Sequence, residues 1–153
     1  MLIAAVLGAT ACGADHRTAA DDREIAIYSS VIRAVAPPAG GKPTAPLSKP
    51  VFVVAADPRS PISLQVQAGI VDMLHRLATI RFVDERSEAV DTTDPRRPVH
   101  ESGVLITLGD IPPGRTAVTI EGQRYERIGV AATYRVTLQP VGTSWKPREV
   151  SSA

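Results

Sequence analysis

Val51-Phe52-Val53-Val54-Ala55-Ala56-Asp57-Pro58 is the stretch that decides the fold. Its apolar, β-branched start reads as an inner strand, and Asp57-Pro58 ends it. Downstream, Ser60 is placed to cap a helix and Pro61 suits its first turn. Val66, Ile70, Leu74 and Leu77 then fall on one face. Ile80 to Val83 makes the next strand. Strand, helix and strand in this order can form a right-handed parallel crossover, and a more loosely connected α+β arrangement stays open beside it.

Working upstream, Asp21 is expected to begin a helix, with Glu24 completing an acidic capping box. Ile25, Tyr28, Ile32 and Val35 recur at helical spacing and predict one buried stripe. That helix is too short to stand alone and needs the later strands to cover it. Between Ala36 and Pro50 the density of Pro and Gly excludes regular structure and predicts an extended surface loop. Working downstream, the polar segment Asp84 to Ser102, with Pro95 and Pro98, reads as a long irregular excursion. From Gly103 the pattern is β: Val104 to Leu108, Thr116 to Glu121, Val130 to Leu138, and Ser144 to Val150. Pro112-Pro113-Gly114, Glu121-Gly122-Gln123 and Pro140-Val141-Gly142 are the expected reversals. Strands this closely spaced pair antiparallel. The expectation is a single α+β domain over residues 21–150, two helices ahead of a mixed, mainly antiparallel sheet.

With 153 residues, 44% of them apolar and 22% charged, the chain has the composition of one folded domain. Two Phe, one Trp and three Tyr leave the core to Val, Ile, Leu and Ala. Seventeen basic residues against sixteen acidic ones give a formal charge of +1, so no overall field draws the chain to nucleic acid. Asn is absent and Arg outnumbers Lys, a bias expected of GC-rich codons, as in many actinobacteria. The single cysteine offers no internal disulfide and no thiol cluster for zinc or iron–sulfur, and no cofactor motif accompanies it.

Three aspartates follow strands closely: Asp57, Asp84 and Asp110. If the first two strands are parallel neighbours, Asp57 and Asp84 leave the same sheet edge, where carboxylates can hold a hard cation or share a proton. The plainer reading is that Asp ends strands because it bonds its own backbone in turns. His16, His75 and His100 lack metal-binding spacing. His100-Glu101-Ser102 has the side chains of a hydrolytic relay, but neighbours on an extended segment face opposite ways. Beyond Asp110 the chain is modestly basic, with Arg115, Arg124, Arg127, Arg135, Lys146 and Arg148 against Glu121, Glu126 and Glu149. Such strands can touch anionic lipid or envelope polymer, and a charge-decorated sheet edge has the same composition.

The N-terminus carries the most specific pattern. Leu2 to Ala11 is an apolar stretch too short to span a bilayer, and Ala9-Thr10-Ala11 has the small-x-small form that signal peptidases accept. Ala11-Cys12 closing that run resembles the lipobox of bacterial lipoproteins. The resemblance implies that residues 1–11 are a signal peptide, that Cys12 carries the lipid, and that residues 12–20 tether the domain to the membrane. Cleavage at the same bond without lipidation gives a secreted protein, and a buried terminal element with a core cysteine is the remaining alternative. The core segments Glu24 to Arg33, Val51 to Val54, Arg81 to Val83 and Gly103 to Gly109 resemble uncharacterised exported actinobacterial proteins. Tyr134 to Leu138 with Trp145 is similar to the closing hairpin of NTF2-like lipoprotein domains. The expected function is that of an exported cell-envelope protein with a binding or structural role, its partners the membrane and an unidentified envelope ligand. A small enzyme or ligand-pocket domain using Asp57, Asp84 or Asp110 is the alternative.

Overall fold

A computed structural model of the protein describes residues 17–38, 42, 45–114 and 116–153, so the expected signal segment, Cys12 and His16 lie outside the described residues. The first helix, α1, is Ala19–Val35. Thr18 caps it: Thr18 Oγ1 accepts from the Asp21 amide at 3.1 Å, and the Asp21 carboxylate accepts from the Thr18 amide at 2.8 Å. Asp21 is therefore the third helical residue of a capping box rather than its cap, and the helix starts two residues before the expected boundary. Ala19 and Ala20 are the reason, since alanine extends a helix at the lowest cost of any residue. Ile25, Tyr28, Ile32 and Val35 are buried as their spacing predicts, joined by Ile27 and Val31.

The remaining elements are β1 (Val51–Ala55), α2 (Leu64–Leu74), β2 (Ile80–Phe82), β3 (Val104–Leu108), β4 (Val118–Arg127), β5 (Val130–Val141) and β6 (Ser144–Ser152). They form one open sheet in the order β2-β1-β3-β4-β5-β6. β1 pairs parallel with β2 and with β3, and β3 to β6 follow one another antiparallel. The α+β class holds, with α2 serving as the crossover between two parallel strands.

Each half of the sheet obeys a different burial rule. Parallel strands need cover on both faces, whereas antiparallel ones can keep a wet face. In β1, Val51 and Val53 point into the core shared with both helices, while Phe52 and Val54 join Leu105 of β3 in a smaller cluster on the other side. That second face is roofed by the 84–102 segment through Ala89 and Val99, both essentially inaccessible. The expected irregular excursion is thus a cover with structure of its own: 3-10 turns at Arg86–Glu88 and His100–Ser102, and a bridge between Val90 and Val99. Arg81 and Arg86 close it from outside, stacked on Phe52 and Tyr125 with their guanidinium carbons 5.7 and 4.2 Å from the ring centres. In β4, by contrast, Val118 and Ile120 are buried while Thr119, Glu121 and Gln123 are solvated.

Two expected features move. Glu121-Gly122-Gln123 is not a reversal: it continues β4, and the chain turns instead at Ile128-Gly129, where Gly129 takes φ +78°. Gly122 is there for space. A Cβ on it would lie 3.3 Å from Val31 and from Val35, where α1 crosses the sheet. The second helix is capped by Ser63, whose Oγ accepts from the Val66 amide at 3.3 Å, and not by Ser60. Ser60 is already committed to a turn, its amide donating to the Asp57 carbonyl at 3.0 Å.

Candidate functional site

The three strand-ending aspartates do leave one edge of the sheet. Ala55 lies opposite Leu108 and Val53 opposite Phe82, so Asp57, Asp110 and Asp84 each stand two residues beyond a paired position at the carboxyl ends of parallel strands. This is the edge where open α/β sheets place their ligands. Each carboxylate there has its own surroundings. Asp57 Oδ1 accepts from the Arg59 amide at 2.9 Å and from Arg59 Nε at 3.1 Å, and the Arg59 side chain, then its amide, hold the carboxyl below its usual range. Asp84 is exposed at the rim of a hollow of about 340 Å³ beside Pro61, Gln67 and Phe82. Asp110 acts on Tyr28: burial, then the charges of Glu24 and Asp110, push the phenol up to about 12, against a hydrogen bond with the Ile111 backbone. Among the described residues, no three His, Cys, Asp or Glu side chains are grouped to hold a metal ion. His75 ends α2 on the surface with Nδ1 2.6 Å from the Asp72 carbonyl, and His100 is exposed in its 3-10 turn.

At the opposite edge, where β1 and β3 begin, side chains from separate segments converge. Arg124 is at the root. Together with Ile120 and Gly122 it faces the helices from β4, and it is 6% exposed. Its Nε donates to the Ala36 carbonyl at 3.2 Å, placing a cation on the C-terminal end of α1, where the helix dipole favours one. Its Nη2 lies 3.0 Å from Glu126 Oε1, and Lys49 Nζ reaches the same oxygen at 3.3 Å. Partial burial works to raise the Glu126 carboxyl, but the charges of Arg124 and Lys49 outweigh it and hold the group below the usual carboxylate range.

Two hollows of about 460 and 420 Å³ adjoin here, sharing Lys49 and Glu126 as common wall. The first is lined by Lys42, Arg124 and the proline-rich loop after α1, and the second by Arg96, Arg97 and Arg127. Arg96 and Arg97 are carried on the small loop closed by the Val90–Val99 bridge. Asp94 Oδ1 accepts from both their amides, at 3.0 and 3.3 Å, which fixes the backbone that presents them. Ser102 and Gly103 complete the floor. Among the described residues, six cations thus border a cleft containing one carboxylate, on a chain whose formal charge is +1. Low-dielectric walls lined by one sign of charge focus the field and concentrate counter-ions.

Arg124 and Arg127 belong to the basic C-terminal run visible in the sequence, but Arg135 and Arg148 of that run are not part of the cleft. Lys49, Arg96 and Arg97 carry no local signal, because they sit in segments that read only as loops. Their common address arises from contacts across 77 residues, as between Lys49 and Glu126. Comparison with protein-family models, with curated proteins and with solved structures returned no match. No helix among the described residues is long and apolar enough to cross a membrane.

Proposed function

We propose that this chain is an exported envelope protein, held to the membrane at Cys12, whose domain binds an anionic envelope polymer in the cleft around Lys49. One observation carries the binding role: among the described residues, six cations from three chain segments face two adjoining hollows and are opposed by Glu126 alone. Glu126 is already engaged by Arg124 and Lys49, so Lys42, Arg96, Arg97 and Arg127 supply the charge that a ligand meets. A cleft continuous over both hollows suits an extended chain of carboxylates or phosphates better than a single small ion. The export component rests on the sequence pattern before Cys12.

Binding of fluorescein-labelled polyglutamate and of inorganic polyphosphate, titrated at stepped salt, tests the cleft. Affinity should fall as salt rises, and the double variant Lys49→Glu/Arg97→Glu should weaken it at least tenfold at low salt. Affinity indifferent to salt, or an unaffected double variant, would rule the cleft out. Membrane fractionation of Cys12→Ser tests the anchor: the variant should leave the membrane fraction, and its retention there would refute lipidation at this residue.

A further inference from the structure

A larger hollow lies elsewhere, between α1 and the edge strand β6, with a volume of about 680 Å³. This is within the range of small-molecule sites. Its walls are mainly apolar: Ala26 and Ala34 from α1, Met73 from the end of α2, and Trp145 and Val150 from β6. Met73 and Val150 are 46% and 45% exposed, so the hollow opens to solvent along one side. Among the described residues no carboxylate lines it, and its two charged residues, Arg33 and Lys146, are both cations. A third cation stands close by, since the Arg23 guanidinium lies 5.4 Å from the centre of the Trp145 ring.

Ser29 contributes a second, independent observation. It lines the same hollow at 1% exposure, and its Oγ is the one buried side-chain polar atom without a hydrogen-bond partner among the described residues. Buried hydroxyls are nearly always paired, because water cannot make good the loss. Its neighbour Ser30 does find a partner, donating to the Trp145 carbonyl at 2.6 Å and tying α1 to β6. The hollow therefore combines an apolar body, a cationic rim and an unused polar atom in one wall. Strand addition at β6 is the competing use of this surface. It is opposed by Pro147, by Lys146 and Arg148, and by the bulge opposite Thr137 and Leu138, which together protect a sheet edge.

We infer that the hollow between α1 and β6 binds a small amphipathic carboxylate, its hydrocarbon chain against Trp145 and Met73 and its head group toward Arg33, whose Nη2 donates to the Met73 carbonyl at 3.2 Å at the rim. This site is separate from the polyanion cleft. Trp145 is the sole tryptophan of the chain, so its fluorescence reports on this hollow alone.

The probe is decanoate below its micelle concentration, followed by Trp145 emission and by titration calorimetry on the full-length protein. Saturable binding with a change in Trp145 emission is expected. Decanol should bind at least tenfold more weakly, and Arg33→Gln, its fold checked by circular dichroism, should cost decanoate at least tenfold in affinity. Lys49→Glu in the other cleft should leave the titration unchanged. Absence of saturable heat and emission change would overturn the inference. Equal affinity for decanol, or indifference to Arg33→Gln, would remove the carboxylate from it, and sensitivity to Lys49→Glu would move the ligand to the polyanion cleft.

Discussion

The two ends of the parallel strands carry opposite charges and use them differently. Where β1, β2 and β3 finish, Asp57, Asp84 and Asp110 each answer to a local need or to solvent. Asp57 serves its own turn through Arg59, two residues away. Where β1 and β3 start, Arg124, Lys49 and Glu126 answer to one another, drawn from β4 and from a loop far off in the chain. Charges that arise by sequence-local turn chemistry recur wherever a strand ends and need not converge. Those gathered by the tertiary fold share an address, and a shared address is what a ligand can recognise.

The largest effect should come from cutting the root of the basic end. Arg124→Ala leaves the Ala36 carbonyl without its donor and the partly buried Glu126 with Lys49 alone, and should cost about 3 kcal/mol in urea unfolding. Arg124→Lys, which keeps the charge but lacks the planar fork, should recover only part of this. A loss under about 0.5 kcal/mol for Arg124→Ala would mean that the cleft has no structural root and that the contrast between the ends is superficial.

Next in size is a pH effect at the acidic end. The Tyr28 phenol ionises near 10 in the unfolded chain and at about 12 in the folded one. A raised folded value means that stability is intact below pH 10 and falls as pH climbs toward 12. The loss should approach about 2–3 kcal/mol at the top of that window. Tyr28→Phe should flatten the decline, and Asp110→Asn should make it shallower, ending at a lower pH from the same onset, by removing one of the charges that oppose ionisation. A decline identical in Tyr28→Phe would assign it to other groups.

The smallest effect belongs to the ion pair at the end of β1. Arg59 is almost fully exposed, its side chain retaining 90% of its accessibility, so Asp57→Asn should leave the urea midpoint unchanged within error. A clear fall of the midpoint in the same urea titrations would show that Asp57 does more than hold its turn.

What was legible in the sequence follows the same division. β1 and β3 could be read to the residue because unbroken apolar runs bounded by Asp-Pro and Gly have few other uses. The stripe of α1 was equally plain, while its cap was displaced because Thr18 and Asp21 are both competent caps and only the preference of Ala19 and Ala20 decides between them. Glu121-Gly122-Gln123 misled because glycine signals a turn in sequence, whereas here it makes room for Val31 and Val35, and that crowding is a tertiary fact. The carboxylates at the strand ends were visible, but their separate environments were not. The basic cleft was hidden in part for a converse reason: Arg124 and Arg127 lay in a run recognised as basic, while Lys49, Arg96 and Arg97 gained meaning only when two loops came to rest beside β4.

The Val90–Val99 bridge has a kinetic consequence. Behind it, β3 is hydrogen-bonded on both sides and nearly inaccessible, so its amides should exchange with solvent water only through global unfolding. The loop that carries Arg96 and Arg97 is held only by its own turn bonds and the short pairing around Val90 and Val99, and is exposed from Asp91 to Arg97, so its amides should exchange orders of magnitude sooner. The cleft thus has one wall that keeps the lifetime of the whole fold and one that renews its contacts far more often, which would let a long polymer be gripped and released a segment at a time.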